Sequence, residues 1–242
     1  MATLADTEAA AQFSTDQRER RFFMGMAIAI AATVLLGFGA YIVLGISSFG
    51  APWWVHVHAV TYMGWIALYL NQNRLVVSGD IAGHRRMGRI MAGWAVWMTV
   101  VGVSVLVFNT VTHRTPPIFT PAFIIALDTV NLLVFLLLLG AGLALRGRSD
   151  WHRRLMLSAT VCIISPALGR ITVVSGGFSL RNIILIQLCF ILAGMIGDWR
   201  IRGRVHPAWY CGGAALVAMG LVTGPVAGLA PVVALANGLA AG

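Results

Sequence analysis

Lysine is absent from this chain of 242 residues, and charge of either sign is scarce: 17 Arg, 8 Asp and Glu, 10% charged residues in all. An ordinary soluble domain carries about a quarter charged residues, so a water-facing surface cannot be assembled from this composition. Without Lys there is no Schiff base, which excludes a retinal-type photoreceptor. The three cysteines, Cys162, Cys189 and Cys211, lack the close spacing of a metal or disulfide framework and read as small buried hydrophobes. Glycine-rich phosphate loops, HExxH helices, GxSxG elbows and CxxCH attachments are missing, which removes the chemistries that they carry.

What is present in abundance is apolar sequence: 59% hydrophobic residues and a mean hydropathy of +0.85. That predicts an all-α, polytopic transmembrane helical bundle. Seven spans are expected, at about 22–46, 53–77, 87–108, 119–145, 155–175, 182–198 and 209–235, because roughly 20 apolar residues in a helix cross a hydrocarbon core. The sixth is short and the seventh is interrupted by Pro225 and Pro231. Residues 1–21, with the acids Asp6, Glu8, Asp16 and Glu19 and a basic end at Arg18, Arg20 and Arg21, read as a polar tail, disordered or interfacial, and not as a signal peptide. Residues 22–242 form one transmembrane domain.

The net charge of +9 is a matter of topology. Fourteen Arg fall in the tail or in the turns and helix ends assigned to one side, and only Arg114, Arg170 and Arg181 to the other. The positive-inside rule then puts the amino terminus in the cytoplasm and the carboxyl terminus outside. It also removes nucleic acid as a partner, since the HRR runs are short and tightly turned; membrane lipids, and another membrane protein, are the expected partners.

Ionisable groups inside apolar spans mark either a lock or a site. Counting inward from the span ends puts His58, Asp128, Arg170 and Gln187 in the external half. They are expected to make one polar cluster, with Asp128 paired to Arg170 across consecutive helices. Such a cluster either only orients helices or holds a small ligand. At the inner face His84, Arg85, His152, Arg153 and His206 are candidates for lipid headgroups or for a b-type haem, which needs facing imidazoles and cations for its propionates. The runs SGDIAGHRRMG and GRSDWHRRLM echo one another, each between two helices, and read either as a parallel repeat of helix pairs or as two ordinary Arg-rich turns.

The segments HVHAVTYMGWIALYLNQNRLVVSGDIAGHRRMG, DWHRRLMLSATVCIISPALGR and RIRGRVHPAWYCGG resemble a family of small multi-pass bacterial inner-membrane proteins of uncharacterised function. The HRR turns are more weakly similar to membrane cytochromes of the b type, from which the chain departs in lacking a clear pair of mid-helix His on facing spans. The resemblance implies a bacterial cytoplasmic membrane location and marks His58, His84, Asp128, His152, Arg170 and His206 as the characteristic polar positions. The functional expectation is a binding or accessory membrane protein without enzymatic activity, the alternatives being a haem- or quinone-linked redox protein and a small-solute transporter.

Overall fold

The computed structural model describes residues 4–47 and 49–241, with side chains from Phe13 onward. Nine helices are described: α1 (Leu4–Val43), α2 (Trp53–Val77), α3 (Ile81–Val111), α4 (Pro121–Ala144), α5 (Ser149–Ile163), α6 (Ser165–Val174), α7 (Leu180–Arg202), α8 (Ala208–Ala227) and α9 (Ala230–Ala240). The chain is a multi-spanning helical bundle of membrane type. Its outward surface is apolar, carrying Val96, Val100, Leu133, Leu137 and Leu221, which suits lipid contact.

Five helical stretches are long and apolar enough to cross a membrane: Phe13–Val43, α3, α4, α7 and α8. α5 and α6, meeting at 44°, make a sixth if taken as one bent span. α2 has the expected bounds and 25 residues, but it falls short in composition because it carries His56, His58, Asn71, Gln72, Asn73 and Arg74.

Three expectations about the elements need correction. From Leu4 the polar tail is helical and continuous with the first span, not a segment apart from it. The sixth span is a regular helix of 23 residues: Asp198, read as its boundary, is buried and paired inward, and the helix ends only at Gly203 in left-handed conformation (φ 71). The seventh is two helices, since after Pro225 the backbone extends at Leu229 and α9 packs on α3 and α4.

α5 is the axis of the bundle. Arg154, Leu155 and every residue from Leu157 to Ile163 are buried, enclosed by α1, α4, α7 and α8. Close approach is allowed where side chains vanish: a Cβ on Gly37 would run into the Ala167 carbonyl, and one on Gly194 into the Trp209 ring. Indole donors tie α2 to α3, Trp94 Nε1 to Thr61 O (2.9 Å) and Trp97 Nε1 to Thr61 Oγ1 (3.0 Å). Helices alternate in direction, so the beginnings of α1, α3, α5 and α8 gather at one Arg-rich end and those of α2, α4 and α7 at the far end.

Candidate functional site

Polar side chains are buried within these apolar helices at three levels. At the Arg-rich end, Arg154 is fully enclosed and donates from Nε to Asp198 Oδ2 (2.8 Å), from Nη1 to Asp150 O (2.7 Å), and from Nη2 to Glu19 Oε1 (2.9 Å) and Asp198 Oδ1. Asp198 Oδ2 also accepts from Trp209 Nε1 (2.8 Å) and His206 N (3.1 Å). Glu19, only 1% exposed, is met by Arg153 Nη1 (2.8 Å) and by Arg202 Nε (3.0 Å) and Nη2. A guanidinium facing two carboxylates with nearly all its donors used is the arrangement that allows charges to be buried. Two of the expected haem or headgroup residues are absorbed by this network: Arg153 faces Glu19, and His206 faces Asp150 across 3.2 Å with its ring against Trp151.

The other two histidines meet. His84 opens α3, His152 opens α5, and their ring centres lie 6.3 Å apart with planes at 79°. His152 Nδ1 donates to Gly142 O (2.7 Å), which leaves Nε2 bare. The Gln72 amide addresses both faces of His84: with its NH2 toward the ring it donates to Nδ1 and to His84 O (3.2 Å), while its carbonyl accepts from Gly88 N (2.8 Å). Turned over, the amide oxygen could accept from a protonated Nδ1, but it would then face the His84 carbonyl, and the amide nitrogen would face Gly88 N–H. Along the His84 face of α3, at the following turns, Ala92, Ala95 and Thr99 line an apolar groove with Leu136, Leu139 and Gly140 of α4. Arg85 stands exposed beside the pair.

At mid-depth, the α5–α6 junction explains Gln187. Pro166 has no N–H, so the carbonyl of Cys162 loses its helical donor. Asn131 Nδ2 (3.2 Å) and Gln187 Nε2 (3.0 Å) supply it instead, with further bonds to Ser165 Oγ (2.7 Å) and Val161 O (2.9 Å). Neighbouring helices commonly rescue a freed backbone group in this way. Gln187 Oε1 is buried without a partner among the described residues.

Toward the far end, His58 stacks on Tyr62 (4.2 Å between centres), and Tyr62 lies within electrostatic reach of Asp128. The expected Asp128–Arg170 ion pair is not formed. Arg170 Nη1 donates to Pro166 O (3.0 Å), and the guanidinium lies over Phe38 (4.1 Å) and near Tyr41 (5.3 Å) of α1. The break at Pro166 aims α6 at α1 and carries Arg170 with it. Its remaining link to the cluster is electrostatic, through His58.

The fold and these polar levels define a multi-pass membrane protein built around buried polar side chains. No family model, curated protein or solved structure matches the chain, so the family and cytochrome resemblances read from its motifs have no support beyond the shared multi-pass helical character.

Proposed function

We propose that this chain is a membrane-embedded binding protein whose ligand is a b-type haem held between His84 and His152. The observation that carries the reading is the meeting of two imidazoles from separate helices, 6.3 Å apart and nearly perpendicular. Two imidazoles that share one metal, each bound at about 2.0 Å, have ring centres roughly 6 Å apart. The hydrogen bond from His152 to Gly142 O is the outer contact that fixes a ligating imidazole with its second nitrogen bare. For His84 to reach the same state its proton must move to Nδ1 and the Gln72 amide must turn over, giving up its bonds to His84 O and from Gly88 N for the ligand. The apolar groove between α3 and α4 suits the hydrophobic edge of a macrocycle, and Arg85 suits its propionates. A haem so held would supply one-electron transfer at the membrane surface.

The reading carries a topology with it: seven spans, the Arg-rich end in the cytoplasm of a bacterial cell, and the carboxyl terminus outside. α2 supports seven because its 25 residues join the far end of α1 to the near end of α3. A transporter draws less support, since the carbonyls freed at the α5–α6 break are already taken by Asn131 and Gln187. The test is an absorption spectrum of protein purified from haem-replete cells. A Soret band is expected, and it is expected to be lost in His84→Ala and His152→Ala while His206→Ala keeps it; a colourless wild-type protein overturns the reading.

A further inference from the structure

The second site lies at the other end of the same seam. α2 and α4 run parallel, and Trp65 and Phe135, both fully enclosed, meet edge to face at 5.1 Å. His58 and Asp128 each stand seven residues before these, two helical turns toward the far end and on the same faces. On α4, Asp128 belongs to the stripe of Phe135, Leu139 and Gly142, all buried, while the outward stripe is Thr129, Leu133, Leu137 and Gly140. An inward-facing residue is expected to be covered, yet Asp128 is exposed. The two facts together describe a crevice that opens into the bundle between α2 and α4.

The groups in that crevice are unequally satisfied. Tyr62 OH is committed to Met98 O (3.3 Å). Arg170 is turned away onto the aromatic rings of α1. His58 Nδ1 is buried with no hydrogen-bond partner, and Asp128 has neither a hydrogen bond nor a cation among the described residues. An ionised carboxylate inside a bundle at membrane depth calls for a positive partner, and the guanidinium of Arg170 is engaged with α1 and Pro166 O instead. Tyr62 lies within electrostatic reach of that carboxylate and carries His58 stacked on one side; a tyrosine ring is a surface on which a cation and an apolar body both rest favourably.

We propose that the crevice bounded by His58, Tyr62 and Asp128 binds a protonated amine with an apolar body, its N–H groups donating to Asp128 and its body lying against the Tyr62–His58 stack. The site is open toward the far end, and its occupant is a lipophilic ammonium ion. His58 Nδ1, as an acceptor, takes a second N–H from the same ammonium group. The proposal does not depend on haem at the opposite end.

Benzylammonium is the probe, with benzyl alcohol as the neutral control and benzoate as the anionic one. For the purified protein in neutral detergent, benzylammonium is expected to raise the thermal midpoint in a saturable way, and the two controls are not. In equilibrium dialysis Asp128→Asn is expected to weaken benzylammonium binding by about tenfold or more, the loss of a charge-assisted hydrogen bond. Asp128→Glu is expected to keep part of it. Asp128→Asn removes a charge with no partner, so it is expected to fold. Arg204→Gln, exposed at the Arg-rich end, is expected to bind as wild type does. Equal binding by wild type and Asp128→Asn, no saturable binding, or preference for benzoate each overturns the assignment.

Discussion

Arg154 and Asp128 are both ionisable side chains set on the inward faces of helices, and their surroundings differ in kind. Arg154 has two carboxylates and a backbone carbonyl around it, and each carboxylate has further donors of its own. Asp128 has no such partner among the described residues and is exposed. The first arrangement couples α1, α5, α7 and the start of α8, elements far apart in the chain, into one closed unit. The second leaves interaction capacity unspent. A charge on an inward helix face is therefore not one signal in this molecule: a saturated one holds helices together, and an unsaturated one is available to a ligand.

The contrast is broken most severely by removing Arg154. Arg154→Leu leaves Glu19 and Asp198 enclosed without their shared cation, and a loss of about 3–5 kcal/mol is expected, as for a buried pair deprived of one partner. Monodisperse yield on size exclusion should collapse, and the pair Arg154→Leu with Asp198→Asn should recover part of it. Wild-type yield from Arg154→Leu would mean that the network does not hold the bundle.

Next in size is the α5–α6 junction. Asn131 and Gln187 share the carbonyl of Cys162, so either can cover for the other. Asn131→Leu and Gln187→Leu are each expected to cost about 1–3 kcal/mol, and the double variant more than their sum because only then does the carbonyl lose both side-chain donors and keep the capping N–H alone. Thermal midpoints of the four proteins form the cycle, and strict additivity would show that the two amides act independently.

Asp128→Asn sharpens the contrast from the other side. Where Asp198→Asn should be strongly destabilising, Asp128→Asn should leave the thermal midpoint of the ligand-free protein unchanged or raised, since a charge without a partner is lost. A fall comparable to that of Asp198→Asn would show that Asp128 has a cation after all.

Much of this architecture is legible in the sequence. The bounds of α2 follow from apolar run and interfacial Trp, and Pro166 already marks the interruption of the fifth span. The echo of SGDIAGHRRMG in GRSDWHRRLM is the trace of the His84–His152 meeting, since both runs open helices at the same end. Glu19 was not legible as a buried group: it sits in a polar tail, and its partners Arg154 and Arg202 are 135 and 183 residues away. The Asp128–Arg170 pairing was misjudged because adjacency of consecutive helices says nothing of the turn at Pro166, which presents Arg170 to α1. Gln187, expected in a cluster with His58, Asp128 and Arg170, instead bonds the carbonyls of Val161 and Cys162, a task set by the missing proline N–H.

The smallest expected effect belongs to His206, at the rim of the saturated network. Its Nδ1 accepts from Ala208 N (3.2 Å), which requires that nitrogen to be bare, and Nε2–H then faces Asp150 Oδ2 (3.2 Å). Burial holds the imidazole below its ordinary pKa of 6.5, helped by the charge of Arg154 and opposed by Asp150 and Asp198. Protonation would also cost the bond from Ala208. Because the folded protein resists a proton that the unfolded chain accepts, the stabilisation from neutral His206 is complete above about pH 6.5 and declines as pH falls through the lowered folded-state value. His206→Gln keeps a polar side chain without the titration. The thermal midpoint of the wild type is expected to drop more between pH 7 and pH 5 than that of His206→Gln. Parallel curves for the two proteins would show that the ring titrates alike in the folded and unfolded states, and a steeper fall in His206→Gln would reverse the sign argued from burial.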